Sequence, residues 1–167
     1  ALAYREGVTV AGRGSGTGLS GGAIAAPGGI QVSFTRMNRI LDVSTQDRTA
    51  AVEPGVVNLD LDNYVRRLGL RYAPDPSSQV ICSIGGNVAE NSGGAHCLKY
   101  GFTVHHVLGV EVVLPDGQMV RFGGAALDSP GLDLLGVLVG SEGTLAVVTH
   151  ENTIHFLAYI ACAHFVR

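Results

Sequence analysis

The run Gly12-Arg13-Gly14-Ser15-Gly16-Thr17-Gly18-Leu19-Ser20-Gly21-Gly22 constrains this chain more than any other stretch. Glycine reaches positive φ and carries no Cβ, so consecutive backbone N–H groups can converge on one anion. The run directly follows Val8-Thr9-Val10-Ala11, which reads as a short strand, and so has the form of a diphosphate cradle at a strand end. A flexible turn or linker is the plainer reading of a glycine-rich run. Two later glycine-bearing segments, residues 74–94 and 140–149, argue for the cradle.

Gly16-Thr17-Gly18-Leu19-Ser20-Gly21 satisfies the G-x-G-x-x-G spacing of dinucleotide-binding folds, and Asp42 lies near the distance expected of their ribose-binding acid. That fold needs a helix directly after the loop, long enough to cross a parallel sheet. Here only Ala23-Ile24-Ala25-Ala26 precedes Pro27-Gly28-Gly29, which stops a helix. The lysine of a P-loop NTPase is also missing, because no Gly-Lys-Ser or Gly-Lys-Thr occurs. The cradle belongs to a different fold.

The 167 residues, 46% hydrophobic and 15% charged, suffice for one domain with a core. A net charge of −3, with no basic run beyond Arg66-Arg67, gives nucleic acid no electrostatic footing. Any phosphate must be held by backbone dipoles and isolated cations. Cys82, Cys97 and Cys162 show no C-x-x-C spacing, which argues against a disulfide framework or a structural zinc and for a reducing compartment. His105 and His106 are adjacent, and adjacent side chains diverge, so both read as surface or satisfied core residues. The apolar run at residues 154–166 is too short to cross a bilayer and contains His155 and His164. With no signal peptide and alanine first, the chain reads as part of a longer protein.

In order, residues 1–7 read as a helix end capped by Gly7, and residues 8–11 and 30–34 as strands. Residues 39–43 and 49–53 form an expected hairpin, and residues 56–70 a helix with Gly69 near its end. Residues 71–94 read as a long functional loop, stiffened by Pro74 and Pro76 and opened by paired glycines to a flat ligand. Residues 107–113 and 118–122 form a second hairpin around Leu114-Pro115-Asp116-Gly117. Residues 123–131 read as loop, residues 132–139 as either helix or buried strand, and residues 145–149 as a strand entered from Gly140-Ser141-Glu142-Gly143-Thr144. Residues 151–167 show no clear period.

Taken together, residues 12–22, 74–94, Lys99-Tyr100-Gly101 and residues 140–149 resemble the FAD-binding (PCMH-type) domain of vanillyl-alcohol-oxidase-type flavin oxidases. The wording of the motifs is most similar to the FAD-linked subunit of glycolate oxidase and to FAD-dependent D-lactate dehydrogenases. The resemblance runs in order through nearly all of residues 8–149. It implies an α+β, two-subdomain fold with mixed β-sheets flanked by helices, here lacking most of the opening strand and helix. Residues 1–150 would be the FAD domain and 151–167 an unassigned segment, with the substrate domain absent.

The resemblance also implies a site. Gly12, Arg13, Gly14, Ser15, Gly16, Thr17 and Gly18, with Ser20, would wrap the FAD diphosphate. Pro76, Ser77, Ser78, Cys82, Ser83, Gly85, Gly86 and Asn87 would lie along the flavin, and Asn91, Ser92 and Gly93 would continue that wall. Glu142, Gly143 and Val148 would complete it, Val148 near the adenine. No histidine occurs in the first loop, so the expected FAD is non-covalent. The implied chemistry is oxidation of a small 2-hydroxy acid of the glycolate or D-lactate type by hydride transfer to the flavin. The base and the carboxylate-binding cations would come from elsewhere, and the catalytic residues stay unassigned. Implied partners are related flavin and iron–sulfur subunits, and the implied location is the cytoplasm or the inner membrane face. An alternative is a non-catalytic flavin-binding or assembly module, and another is a flavin reductase of the cell-wall type using NADPH. Glu142 reads as a backbone anchor, Cys82 as packing against the cofactor, and His96 and Lys99 as exposed.

Overall fold

A computed structural model of the protein describes residues 1–124, 131–155 and 157–158. The chain opens with α1 (Leu2–Arg5), β1 (Val10–Arg13) and β2 (Ile30–Ser33), then β3 (Ile40–Ser44), β4 (Thr49–Val52), α2 (Asn58–Arg66) and β5 (Leu70–Arg71). There follow α3 (Ile84–Glu90), α4 (Cys97–Tyr100), a 3-10 turn at Thr103–His105, β6 (Val107–Val113), β7 (Met119–Gly123), α5 (Leu134–Leu138), β8 (Val147–His155) and β9 (Leu157–Ala158). The architecture is α+β, as the resemblance implies.

The expected 39–43/49–53 and 107–113/118–122 hairpins are β3–β4 and β6–β7, both antiparallel. They flank β8 in a five-stranded sheet of order β3-β4-β8-β6-β7. The middle strand is thus nearly the last to be made, and it joins two otherwise separate hairpins. β1 and β2 form a separate parallel pair with Val10 opposite Ile30 and Arg13 opposite Ser33. Parallel neighbours need a long crossover, and residues 14–29 supply it as glycine-rich loop instead of helix. The missing helix that excluded a dinucleotide fold from the sequence is absent from this crossover.

Two apolar clusters form the core. Ala50, Val52, Leu61, Val65, Tyr72, Ile84 and Ile154 belong to one, and Val88, Val110, Val112, Leu138 and Ala146 to the other. α3 contributes to both, Ile84 to the first and Val88 to the second, each fully buried. The helix that borders the cleft is therefore held from two sides.

Several elements differ from expectation. α2 buries Leu61 and Val65 on the helical period, but the same face also buries Asn58 and Asp62, while Tyr64 and Leu68 stay exposed. The carboxylate of Asp62 accepts the Tyr72 N–H at 3.0 Å and Arg66 Nε at 2.7 Å, which explains a charge on a buried face. β2, whose apolar and polar residues alternate as in a half-buried strand, is exposed along its length. The stretch read as continuous loop contains α3, hidden because Gly85 and Gly86 lie inside it and glycine is a poor helix former. Its ends carry standard signals: Ser83 Oγ accepts the Gly86 N–H, and Asn91 closes the helix at φ +49°. Residues 132–139 resolve into the short helix α5. β8 starts two residues later than expected and continues to His155, through the boundary placed at residue 150, because β4 and β6 pair with it there. The expected loop at residues 125–130 and most of the apolar run at 154–166, with Cys162 and His164, lie outside the described residues. No helix among the described residues is long and apolar enough to cross a membrane.

Candidate functional site: a glycine-walled cleft

Three segments far apart in sequence meet around one cleft of about 940 Å³, at the upper end of the range of roughly 300–1,000 Å³ typical of small-molecule sites. The first wall is the β1–β2 crossover, the second the turn before α3 and α3 itself, and the third the turn at residues 141–144 with the start of β8. The 141–144 turn is fixed to α3 by backbone: Gly140 N–H donates to Val88 O at 2.9 Å and Glu142 N–H to Ala89 O at 2.8 Å. Glu142 makes that bond through its main-chain N–H, at φ +55°.

Close approach explains the glycines. A Cβ on Gly14 would lie 2.4 Å from Ser83 Oγ, and one on Gly18 would lie 2.6 Å from Glu90 Oε1. Gly85 is pressed against Pro54 in the same way, at 2.6 Å. Gly16 sits at φ +72° with the Arg13 guanidinium alongside. Among the described residues, none of the N–H groups of residues 15–23 donates to a protein acceptor. Eight of these nine residues line the cleft and none is buried, so their donors are open to an anion that brings its own acceptors.

Of the sequence-derived site residues, Gly12, Gly14, Ser15, Gly16, Thr17, Gly18 and Ser20 line the cleft, as do Ser78, Cys82, Ser83, Gly85, Gly86, Asn87, Ser92, Glu142, Gly143 and Val148. Arg13, Pro76, Ser77, Asn91 and Gly93 are not among the lining residues. Asn91 turns its carboxamide oxygen to the Val104 N–H at 3.0 Å, and Gly93 is held bare by the Phe102 ring, 2.7 Å from where a Cβ would stand. These two build the support behind the wall. Phe34, Pro54, Val88, Glu90, Leu138 and Ala146 also line the cleft and escaped the sequence reading. Val88 and Glu90 sit between Asn87 and Asn91 and carried a positional signal, whereas Phe34 and Pro54 reach the cleft only through tertiary packing.

The floor behind Asn87 is polar and buried. Cys82, Asn87, Tyr72, Thr103 and His106 are each at most 4% exposed. Burial pushes both the Cys82 thiol and the Tyr72 phenol above their ordinary pKa values, with Asn87 opposing the shift in each. The Asn87 carboxamide nitrogen nevertheless completes no hydrogen bond of full geometry with the protein. His106 is buried and its Nε2 donates to Tyr100 O at 2.9 Å, the core alternative of the two the sequence leaves open. His96 is exposed, as expected, and pairs with Asp75, and Lys99 lies over the Tyr100 ring at 4.9 Å. Among the described residues no three His, Cys, Asp or Glu side chains gather as metal ligands would.

A family model described as "FAD binding domain" matches residues 1–123. The chain belongs to that family. FAD is the cofactor, and the donor-rich glycine crossover, close-packed glycines and large cleft fit a dinucleotide carrying a diphosphate. This FAD-binding chain is 53% identical over 157 residues to the glycolate oxidase subunit GlcD of Escherichia coli (strain K12), covering 94% of the chain and 31% of that relative. It is 43% identical over 149 residues to the D-lactate dehydrogenase of Archaeoglobus fulgidus, covering 89% of the chain and 33% of the relative. A solved structure of alkyldihydroxyacetonephosphate synthase superposes with a TM-score of 0.78 at 28% identity, over 94% of this chain and 30% of that one. The FAD-binding chain thus spans about a third of the length of the curated relatives it matches.

Proposed function

We propose that this chain is the FAD-holding portion of a flavin-dependent oxidoreductase that oxidises a small 2-hydroxy acid of the glycolate or D-lactate type. The observation that carries the reading is the three-walled cleft, with its row of uncommitted N–H groups at residues 15–23. The substrate class rests on the names of the relatives, a glycolate oxidase subunit and a D-lactate dehydrogenase. Residues 1–150, together with the rest of β8, form the cofactor unit in this reading.

Bound FAD supplies the two-electron acceptor. The chain's own residues bind and orient. The N–H groups of residues 15–23 take the diphosphate, with Arg13 as the nearby cation. Gly85 and Gly86 hold the backbone open to a flat ring, and Cys82, kept neutral by burial, packs against it without charge. Ser78, Ser83 and Ser92 offer hydroxyls along the same wall, and Val148 adds apolar contact toward the adenine end. Pro76 and Ser77 stiffen the approach to that wall, and Asn91 and Gly93 support it from behind. The cofactor is held without a covalent bond. Related flavin and iron–sulfur subunits are the partners this reading entails, in keeping with a relative that is itself named a subunit.

Titrating the purified chain with FAD tests the cofactor unit: flavin fluorescence should be quenched and the yellow band shifted. Anaerobic addition of glycolate or D-lactate to the FAD-loaded whole gene product should then bleach that band. No uptake of FAD at tens of micromolar, or bleaching by NADPH in place of either acid, would sink the proposal.

A further inference from the structure

Glu90, like Glu142, is an acidic residue lining a cleft whose glycine crossover suits an anion. It is the last residue of α3, exposed, and it lines the cleft opposite the far end of the glycine crossover. Ser20 Oγ donates to it directly, 3.1 Å from both Oε1 and Oε2. Gly18 packs on the same carboxylate, where a Cβ would stand 2.6 Å from Oε1. Among the described residues no Lys, Arg or His forms an ion pair with Glu90.

The helix itself does not favour an acid at this position. At a helix C-terminus a negative charge is disfavoured by the helix dipole. Beside a bound diphosphate it would meet like charge. An ionised carboxylate offers about four acceptor sites, and the one hydroxyl hydrogen of Ser20 engages about one of them. The rest are open to the cleft, where a bound cofactor brings donors of its own. The donors FAD carries next to its diphosphate are sugar hydroxyls, on the ribose of its ADP half and on the ribityl chain of its flavin half.

Building on the FAD reading above, we infer that Glu90, oriented by Ser20, is a hydroxyl-reading residue that accepts hydrogen bonds from the sugar hydroxyls of the cofactor. The crossover then divides its work along its length. Its N–H groups take phosphate, and its Ser20 end delivers a carboxylate to the adjoining sugar. At Gly18 the crossover passes against that carboxylate.

The test compares wild type with Glu90→Gln, a near-isosteric change at an exposed position, with circular dichroism confirming the fold. Binding is read by fluorescence quenching for FAD and by competition with ADP, 2′-deoxy-ADP, riboflavin and inorganic pyrophosphate. The expected result is about a tenfold loss of FAD affinity, the size of one hydrogen bond to a charged group, with pyrophosphate competition unchanged. A parallel loss for ADP, with discrimination against 2′-deoxy-ADP also lost, assigns the ribose; a parallel loss for riboflavin assigns the ribityl chain. Unchanged or tighter FAD binding by Glu90→Gln, or an equal loss for pyrophosphate, overturns the inference alone. Failure of the wild-type chain to bind FAD overturns the cofactor reading on which it rests.

Discussion

Gly14 faces Ser83 across the cleft so closely that a Cβ on Gly14 would lie 2.4 Å from the Ser83 Oγ. That hydroxyl already caps α3 by accepting the Gly86 N–H at 3.3 Å. A methyl at Gly14 must therefore displace either the crossover or the cap. Gly14→Ala is expected to weaken FAD binding at least tenfold, and the Gly14→Val/Gly16→Val pair to abolish it. Gly16 adds its own reason, since φ +72° costs a side chain about 1–2 kcal/mol. Fluorescence quenching by each variant measures the effect, and flavin retained by the double variant would contradict the assignment of the crossover.

Asp62 ties α2 to β5. It is buried, and it accepts both the Tyr72 N–H and Arg66 Nε. Asp62→Ala leaves the Tyr72 N–H buried without an acceptor, which costs about 1–3 kcal/mol. Asp62→Asn keeps an acceptor oxygen and is expected to lose less. Urea denaturation gives the ranking, wild type above Asn above Ala. A stability of Asp62→Ala equal to wild type would show that the contact contributes nothing.

Much of this arrangement was legible because local chemistry and tertiary structure agree. The glycine crossover, both hairpins and the 140–144 turn carry strong turn and period signals, and each occurs where those signals fall. What stayed hidden depended on partners distant in sequence. α3 was masked by its own glycines, one of which, Gly85, is pressed against Pro54, a contact no local pattern records. β8 continues past residue 150 because β4 and β6 are waiting on either side, although its own sequence does not alternate cleanly. Asp62 and Asn58 look like surface residues until their buried backbone partners, Tyr72 N and Pro74 O, are seen.

Cys82 and Cys97 should react very differently with alkylating agents. The thiolate is the nucleophile, and burial holds the Cys82 thiol above the ordinary cysteine range. Cys82 is 4% exposed, whereas Cys97 is only partly covered. With iodoacetamide near neutral pH, peptide mapping should find Cys97 modified first. Labelling of Cys82 should rise only as pH climbs past the usual thiol range, and FAD should slow it further. Equal labelling of the two at neutral pH would show that the wall around Cys82 opens readily.

Tyr72 gives the fold an alkaline limit. Its phenol is 1% exposed, and burial is the largest of the causes that raise its pKa above the ordinary value near 10. In the unfolded chain the phenol loses its proton near that ordinary value, while the folded protein keeps it. Above about pH 10 the unfolded state therefore binds fewer protons, and stability falls as pH rises. The contribution is present in full below the unfolded pKa and is lost progressively above it, by up to about 1.4 kcal/mol per pH unit. Urea midpoints from about pH 8 to pH 11 should fall steeply for wild type and less steeply for Tyr72→Phe. Tyr64→Phe, at a position 46% exposed, should leave the slope unchanged. An identical alkaline slope in wild type and Tyr72→Phe would mean that the phenol remains solvated in the folded protein.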